Sequence, residues 1–302
     1  MNKITVAATQ MACTWDRGEN VNRAEELIRE AAAKGAQIVQ LQELFETPYF
    51  AQIEDYEYLD LARSRDNNEM IMRMQDLAKE LEVVLPVSFF EDAGMVRFNT
   101  TAVIDADGEV LGFYRKTHIP DDMGYYEKFY FSPGNTGFRV WDTKYARIGI
   151  GICWDQWFPE AARIMALKGA QFLFYPTAIG SFAVPVDQIE DTYEEDGKWL
   201  AHWQNTMLGH AAANMAPVIA SNRIGIEEEP KAGTAIRFWG ASFIGDNLGN
   251  KIAEMDAETE GCLTAEFDLD ELEAYRKEVC VFRDRRPSMY ADLLTLEGKP
   301  VE

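Results

Sequence analysis

Gly149-Ile150-Gly151-Ile152-Cys153-Trp154-Asp155-Gln156-Trp157-Phe158-Pro159-Glu160 is the stretch around which the rest of the chain is organised. Residues 147–152 alternate Ile with Gly or a charge, as a buried strand does. Pro159 and the run Glu160-Ala161-Ala162-Arg163-Ile164-Met165-Ala166-Leu167 have the first-turn proline and helix formers of a helix start. Cys153 therefore falls between a strand end and a helix beginning. A thiol at such a junction meets backbone N–H groups and the positive end of a helix dipole, which favour thiolate and stabilise an adjacent oxyanion. Free cysteines are more often small buried hydrophobes, so it is the placement that singles this one out.

The helix after Cys153 leads into Lys168-Gly169-Ala170-Gln171, which repeats Lys34-Gly35-Ala36-Gln37 from near the start of the chain. Before the first copy, residues 4–9 alternate as a strand and Asn20 is placed to cap a helix over 21–34 that stops at Gly35. After each copy a strand follows, 36–43 in one case and 172–175 in the other. The repeat at one helix-to-strand junction predicts two related halves with helices layered on sheets. Residues 69–81 read as a helix and 83–90 as a buried strand. Asp107-Gly108 marks a hairpin between 100–104 and 109–114, whose second arm runs on to Lys116. A second hairpin, 138–141 with 146–152, delivers Cys153. Residues 181–197 are acidic and aperiodic and read as a long surface loop of the kind that forms lids. A helix over 199–215, strands at 217–222, 235–244 and 262–267, a polar loop at Glu227-Glu228-Glu229-Pro230 and a short helix over 269–278 complete the pass. No linker divides residues 1–302, so a single α/β domain is expected, ending in a tail from about 281 with mixed charges and aromatics.

Composition excludes several classes. The 302 residues are 47% hydrophobic and 26% charged, as in a globular chain. No apolar run approaches the ~20 residues of a membrane span, and no basic, apolar leader opens the chain, so a cytoplasmic protein is expected. Lys plus Arg number 29 against 51 Asp plus Glu, a net charge of -22, which argues against nucleic acid or anionic membrane as partner and suits a cationic ligand. Cys13, Cys153, Cys262 and Cys280 form no C-x-x-C pair and there are three histidines, so neither a zinc site nor a disulfide framework is suggested.

Three reactive side chains stand at comparable places: Glu43 and Lys116 at strand ends, and Cys153 at a strand-to-helix turn. α/β sheets gather ligands outside the carboxyl ends of their strands, so the three can converge on one pocket. Together they supply acyl transfer: a sulfur nucleophile, a carboxylate that takes and returns a proton, and an ammonium for the oxyanion. His118, two residues beyond Lys116, leaves a Cys–His dyad open at this point.

Leu41-Gln42-Glu43, Tyr114-Arg115-Lys116-Thr117-His118-Ile119-Pro120 and Gly151-Ile152-Cys153-Trp154-Asp155 resemble the three signature segments of the carbon–nitrogen hydrolase, or nitrilase, superfamily. Further segments that carry the resemblance, among them 126–131, 175–181, 220–225 and 281–287, span nearly the whole chain. The resemblance implies a four-layer α-β-β-α sandwich needing no metal or cofactor. It makes Glu43 the general base, Cys153 the nucleophile and Lys116 the oxyanion stabiliser. Glu127 would support Lys116, and the Trp154 backbone N–H would be the second oxyanion donor. It also implies a homodimer or larger homo-oligomer, with the 281–302 tail at a subunit interface. The expected reaction is hydrolysis of a small cationic carbamoylated amine. Tyr125, Trp157 and Ser181 are expected to line the pocket, and Glu190 and Glu194 of the acidic segment to meet the distal ammonium. A carbamoyl-amino-acid hydrolase with the same triad is the alternative, and an inactive scaffold of the same fold a remote one.

Overall fold

The computed structural model describes residues 2–299. The first half runs β1 (Lys3–Gln10), α1 (Arg17–Ala33), β2 (Ile38–Gln40), α2 (Glu69–Leu81), β3 (Leu85–Asp92), β4 (Arg97–Ile104) and β5 (Val110–Arg115). A helical turn, α3 (Glu127–Tyr130), leads to β6 (Val140–Asp142), β7 (Arg147–Ile150), α4 (Pro159–Leu167), β8 (Phe172–Pro176), β9 (Val184–Pro185) and α5 (Tyr193–Asn214). The chain continues through β10 (Val218–Ser221), β11 (Ile224–Glu229), β12 (Thr234–Trp239), β13 (Phe243–Gly245) and β14 (Lys251–Glu254), then returns to the first half as β15 (Gly261–Asp268) and α6 (Leu269–Val279).

The two halves have the same pairing order. From β15 the neighbours run β1, β2, β3, β4 and β5. The first pairing is antiparallel, the second parallel, the third a parallel bridge from Ile38 to Val84, and the last two antiparallel. From β6 they run β7, β8, β10, β13 and β14 in the same antiparallel, parallel, parallel, antiparallel, antiparallel sequence. The repeated tetrapeptide has a physical reason. Gly35 and Gly169 sit at φ 89° and 91°, the left-handed stop that ends α1 and α4. Ala36 N and Ala170 N each bond back to their helices, to Ala31 O and Met165 O, both at 3.0 Å. The side chains of Gln37 and Gln171 then accept from the strand that precedes their helix, at Thr5 N (3.1 Å) in β1 and Arg147 N (2.9 Å) in β7. Helix stop and strand register are thus set by the same four residues twice.

Strand alternation sorts the side chains into layers. Ala7, Val39, Leu85 and Val87 face α1 and α2, meeting Ala24, Leu27, Ile28, Met74 and Leu77. Val6, Ala8, Ile38 and Val84 face the other way, onto Ile148, Ile150, Phe172, Phe174 and Ile219 of the second sheet. The far side of that sheet packs Leu173, Tyr175, Val218 and Ala220 against Met165, Trp203 and Met207 of α4 and α5. The order is helix, sheet, sheet, helix.

Four sequence expectations are corrected. α1 begins at Arg17, capped by Asp16, whose carboxylate accepts from Glu19 N at 3.0 Å, while Asn20 is turned inward onto Thr14 O and Glu46 O. The expected loop at 181–197 holds β9, a 3-10 segment (Val186–Thr192) and the first turn of α5. Its acids Glu194, Glu195 and Asp196 occupy a helix N-terminus, where the dipole favours them, and Gly197 is carried inside the helix. Glu227-Glu228-Glu229 belongs to β11, with Glu227 and Glu229 buried, rather than to a polar loop. The expected strand 235–244 is broken by Gly240 and Ala241 at φ 55° and 50°, so that β12 and β13 lie in different sheets. In the tail, Phe282 lies under the Arg163 guanidinium at 5.1 Å, Leu293, Leu294 and Leu296 are exposed, and 300–302 lie outside the described residues.

Candidate active site

Glu43 lies just past β2, Lys116 directly follows β5, and Cys153 opens the 3-10 turn (Cys153–Trp157) after β7. The structure brings them together with Glu127, the first residue of α3. Lys116 Nζ donates to Glu43 Oε1 at 2.9 Å and to both oxygens of Glu127, at 2.9 and 2.7 Å. All three side chains are buried. Burial works against the Lys116 charge, but Glu127 and Glu43 more than offset it and hold the ammonium well above the ordinary lysine range. Burial also pushes the Glu127 carboxyl up, to about 7, against the pull of Lys116 and with the repulsion of Glu43 added. Glu43 is oriented by Asn99 Nδ2, which donates to its Oε1 at 2.6 Å. Its other oxygen, Oε2, is buried with no hydrogen-bond partner among the described residues.

Cys153 sits at φ 42°, a left-handed conformation uncommon for a residue with a Cβ and typical of strained functional turns. Its Sγ is directed at Ala178 O, 3.7 Å away. Burial, then the charge of Glu43, pushes this thiol well above its ordinary range, and Lys116 only partly counteracts them. Burial and Glu43 therefore act against the thiolate that a helix start favours. Both influences favour the protonated sulfur, and a thiol that is to act as a nucleophile needs a base to take its proton.

Asp155 laces the cysteine turn to the lysine strand. Its Oδ2 accepts from Ile152 N (2.9 Å) and Tyr114 Oη (2.6 Å). Its Oδ1 accepts from His118 N (3.0 Å) and from His118 Nδ1 (2.7 Å), which therefore carries the proton. The His118 ring stacks on Phe158, centroids 3.6 Å apart. His118 is held on Asp155 and the Cys153 sulfur is directed at Ala178 O, so among the described residues no Cys153–His118 hydrogen bond forms the dyad left open by spacing.

A cavity of about 550 Å³ opens onto Cys153. Trp154, Trp157, Tyr125 and Ser181 all line it, together with Asp122, Asp191, Glu195 and Asp196. The Tyr125 hydroxyl accepts from Gly180 N (3.0 Å) and donates to Ser181 O (3.1 Å), which fixes the wall beside the sulfur. Glu190 and Glu194 do not line it. Glu190 lies 3.6 Å from Arg237, and the Glu194 side chain is 94% exposed. Glu190 sits on the 3-10 segment before α5, whose first turn points Glu194 to solvent, buries Asp196 and leaves Glu195 exposed at the edge of the cavity.

The carbon–nitrogen hydrolase family model matches residues 5–277. The chain belongs to the carbon–nitrogen hydrolase family. This hydrolase is 53% identical over 300 residues to an N-carbamoylputrescine amidase of Oryza sativa subsp. japonica, covering 99% of this chain and 97% of the relative. It is 47% identical over 294 residues to a citrullinase of Francisella tularensis, covering 97% and 99%. A crystal structure of a carbon-nitrogen hydrolase from Helicobacter pylori G27 superposes with a TM-score of 0.90 at 39% identity, over 97% of this chain and 99% of that one.

Sequence reading of the hydrolase missed Asn99 and Tyr49. Asn99 had a signal, because Asn99-Thr100-Thr101 places three polar residues between Phe98 and the apolar run Ala102-Val103-Ile104, all three of them fully buried. Tyr49, whose hydroxyl donates to Glu127 Oε1 at 2.7 Å, had none, since it lies in an aperiodic stretch. Trp199, His202 and Trp239 also face the cavity and were not singled out. Among the described residues no group of three His, Cys, Asp or Glu side chains is arranged to hold a metal ion, and no helix is long and apolar enough to cross a membrane.

Proposed function

We propose that the chain hydrolyses N-carbamoylputrescine to putrescine, carbon dioxide and ammonia, the hydrolytic step of a putrescine-forming route. The observation that carries the choice of substrate is the charge of the cavity. Asp122, Asp191, Glu195 and Asp196 line it, and among the described residues neither Lys nor Arg does. A substrate with an ammonium at its far end meets complementary charge there. The N-carbamoyl amino acids would bring a carboxylate into an acidic cavity without a cationic partner, which is unfavourable, and citrulline would bring one beside its ammonium, which weakens the attraction. The rice relative's name supports the same reading.

In the proposed reaction Cys153 Sγ attacks the ureido carbon while its proton passes to Glu43, whose unpartnered Oε2 suits it to receive one. The carbonyl oxygen becomes an oxyanion held by Lys116 Nζ and the Trp154 backbone N–H. Collapse expels a nitrogen that takes its proton from Glu43, leaving an acyl-enzyme on sulfur. Water, deprotonated by Glu43, then attacks that carbon, the sulfur leaves and takes its proton back from Glu43, and the carbamic acid released splits into carbon dioxide and the remaining amine. Glu127 keeps Lys116 in place throughout. Ammonia release from N-carbamoylputrescine, citrulline and N-carbamoyl-β-alanine tests the proposal. A kcat/KM favouring the first by at least tenfold is expected, and a preference for either carboxylated compound would overturn it.

Two further readings belong to this proposal. The exposed Leu293, Leu294 and Leu296 support a homodimer or larger homo-oligomer with the tail at the subunit interface, to be checked by light scattering of the full chain and of one ending at Arg286. Four free cysteines suit the reducing cytoplasm.

A further inference from the structure

We propose that the buried Arg223–Glu227 ion pair is a positioning device for the reaction, fixing Glu43 through its own main chain and Glu127 through Tyr49. The inference rests on the roles assigned to Glu43 and Glu127 above.

Arg223 stands between β10 and β11 and is wholly buried, flanked by the rings of Phe238 and Tyr49 at 5.2 and 5.9 Å. Its Nη2 donates to the carbonyls of Glu43 (2.8 Å) and Leu44 (3.1 Å), and its Nη1 to the carbonyl of Thr47 (3.2 Å). Three carbonyls from one irregular stretch therefore converge on a single guanidinium. The stretch needs such a clamp, because Leu44 is held at φ 49° and the segment lies outside any helix or strand that would pair its carbonyls. Glu227 completes the device. Its Oε1 accepts from Arg223 Nη1 at 2.8 Å and its Oε2 from the backbone N–H of Tyr49. The Tyr49 hydroxyl in turn donates to Glu127 Oε1, and Glu127 grips Lys116 from the side opposite Glu43.

One ion pair thus sets both carboxylates that flank Lys116. A buried pair of this kind gains little net stability over its own desolvation, so stability alone is a weak reason for it. Geometry is a stronger one, since a displacement of about 1 Å in a catalytic group costs about 10²-fold in rate. Arg223 and Glu227 touch neither sulfur nor cavity and are positioning residues.

The test uses Glu227→Gln, nearly isosteric but unable to accept from the Tyr49 N–H through its amide nitrogen, and Tyr49→Phe, which cuts only the link to Glu127. Each is assayed below its own melting temperature for kcat, KM and the pH profile of Cys153 alkylation by iodoacetamide. The expected result is a fall in kcat of about 10–100-fold with KM within about threefold, and an alkylation profile displaced from wild type in both variants. Alkylation profiles that overlay wild type in a folded Tyr49→Phe protein would overturn the proposal, whatever Glu227→Gln does to the melting temperature. Because alkylation needs no substrate, displaced profiles in a chain inactive on N-carbamoylputrescine would keep the positioning role and remove the substrate assignment. Intact wild-type turnover with overlaid profiles would remove the positioning role alone.

Discussion

Tyr114 Oη donates to Asp155 Oδ2 across 2.6 Å, joining the strand that ends on Lys116 to the turn that begins at Cys153. The bond is buried, and Asp155 also holds Ile152 N and two groups of His118. Replacing Tyr114 by Phe removes one partner and leaves the carboxylate with its others, at a cost of about 1 kcal/mol. Asp155→Ala strands several buried donors, each costing about 1–3 kcal/mol, so a loss of at least ~3 kcal/mol is expected in urea unfolding. Both variants should lower kcat more than they raise KM. Wild-type kcat in a folded Asp155→Ala protein would show that the link does not align the two turns.

Cys153→Ala is expected to fold and to lose turnover by roughly 10⁴-fold or more, as removal of a nucleophile does. Glu43→Gln should bring a comparable loss, because burial and the Glu43 charge raise the pKa of the Cys153 thiol and the proposed attack then needs a base. The two are separable by iodoacetamide: Cys153→Ala abolishes alkylation at the site, and Glu43→Gln slows it at neutral pH. Rapid alkylation in Glu43→Gln would mean that another group takes the thiol proton.

His210 is buried and its Nε2 donates to Gln156 O at 2.8 Å, on the turn that carries Cys153. Burial lowers its pKa from 6.5, so below about 6.5 the unfolded chain binds a proton there that the folded chain does not. This contribution to stability is intact above pH ~6.5 and is lost progressively as the pH falls below it. His210→Gln, which retains a donor, should flatten the acid limb. Urea midpoints at pH 5 and 7.5 check it, and an unchanged difference between the two would refute it.

The acids that line the cavity are distinguishable by kinetics from the neighbouring acids that do not. Glu195→Gln and Asp196→Asn should each raise KM for N-carbamoylputrescine by about 3–10-fold, a loss of about 1 kcal/mol in ammonium binding. Glu190→Gln and Glu194→Gln should leave KM unchanged, since both side chains point away from the cavity. Steady-state kinetics of the four variants decides whether α5 supplies the amine's countercharge.

Local pattern and spacing made the two related halves, the helix-to-strand junctions and the candidacy of Glu43, Lys116 and Cys153 legible, because each depends on neighbours in the chain. The Gly35 and Gly169 stops and the Pro159 start act within a few residues, and local chemistry of that range is written in sequence. The acids of 187–196 and the run at 227–229 were misread because a charge run looks the same whether it caps a helix, pairs across a strand or faces water.

What only the tertiary structure decided is which charges share a dry space. Tyr49, Asn99, Arg223 and Glu227 acquire their meaning from residues up to 180 positions away in the chain. The state of the Cys153 thiol is decided the same way. A strand-to-helix turn by itself favours thiolate, and burial beside Glu43 and Glu127 opposes that preference. Desolvation and the field of converging charges arise only once distant segments have excluded water between them, and no local pattern carries that information.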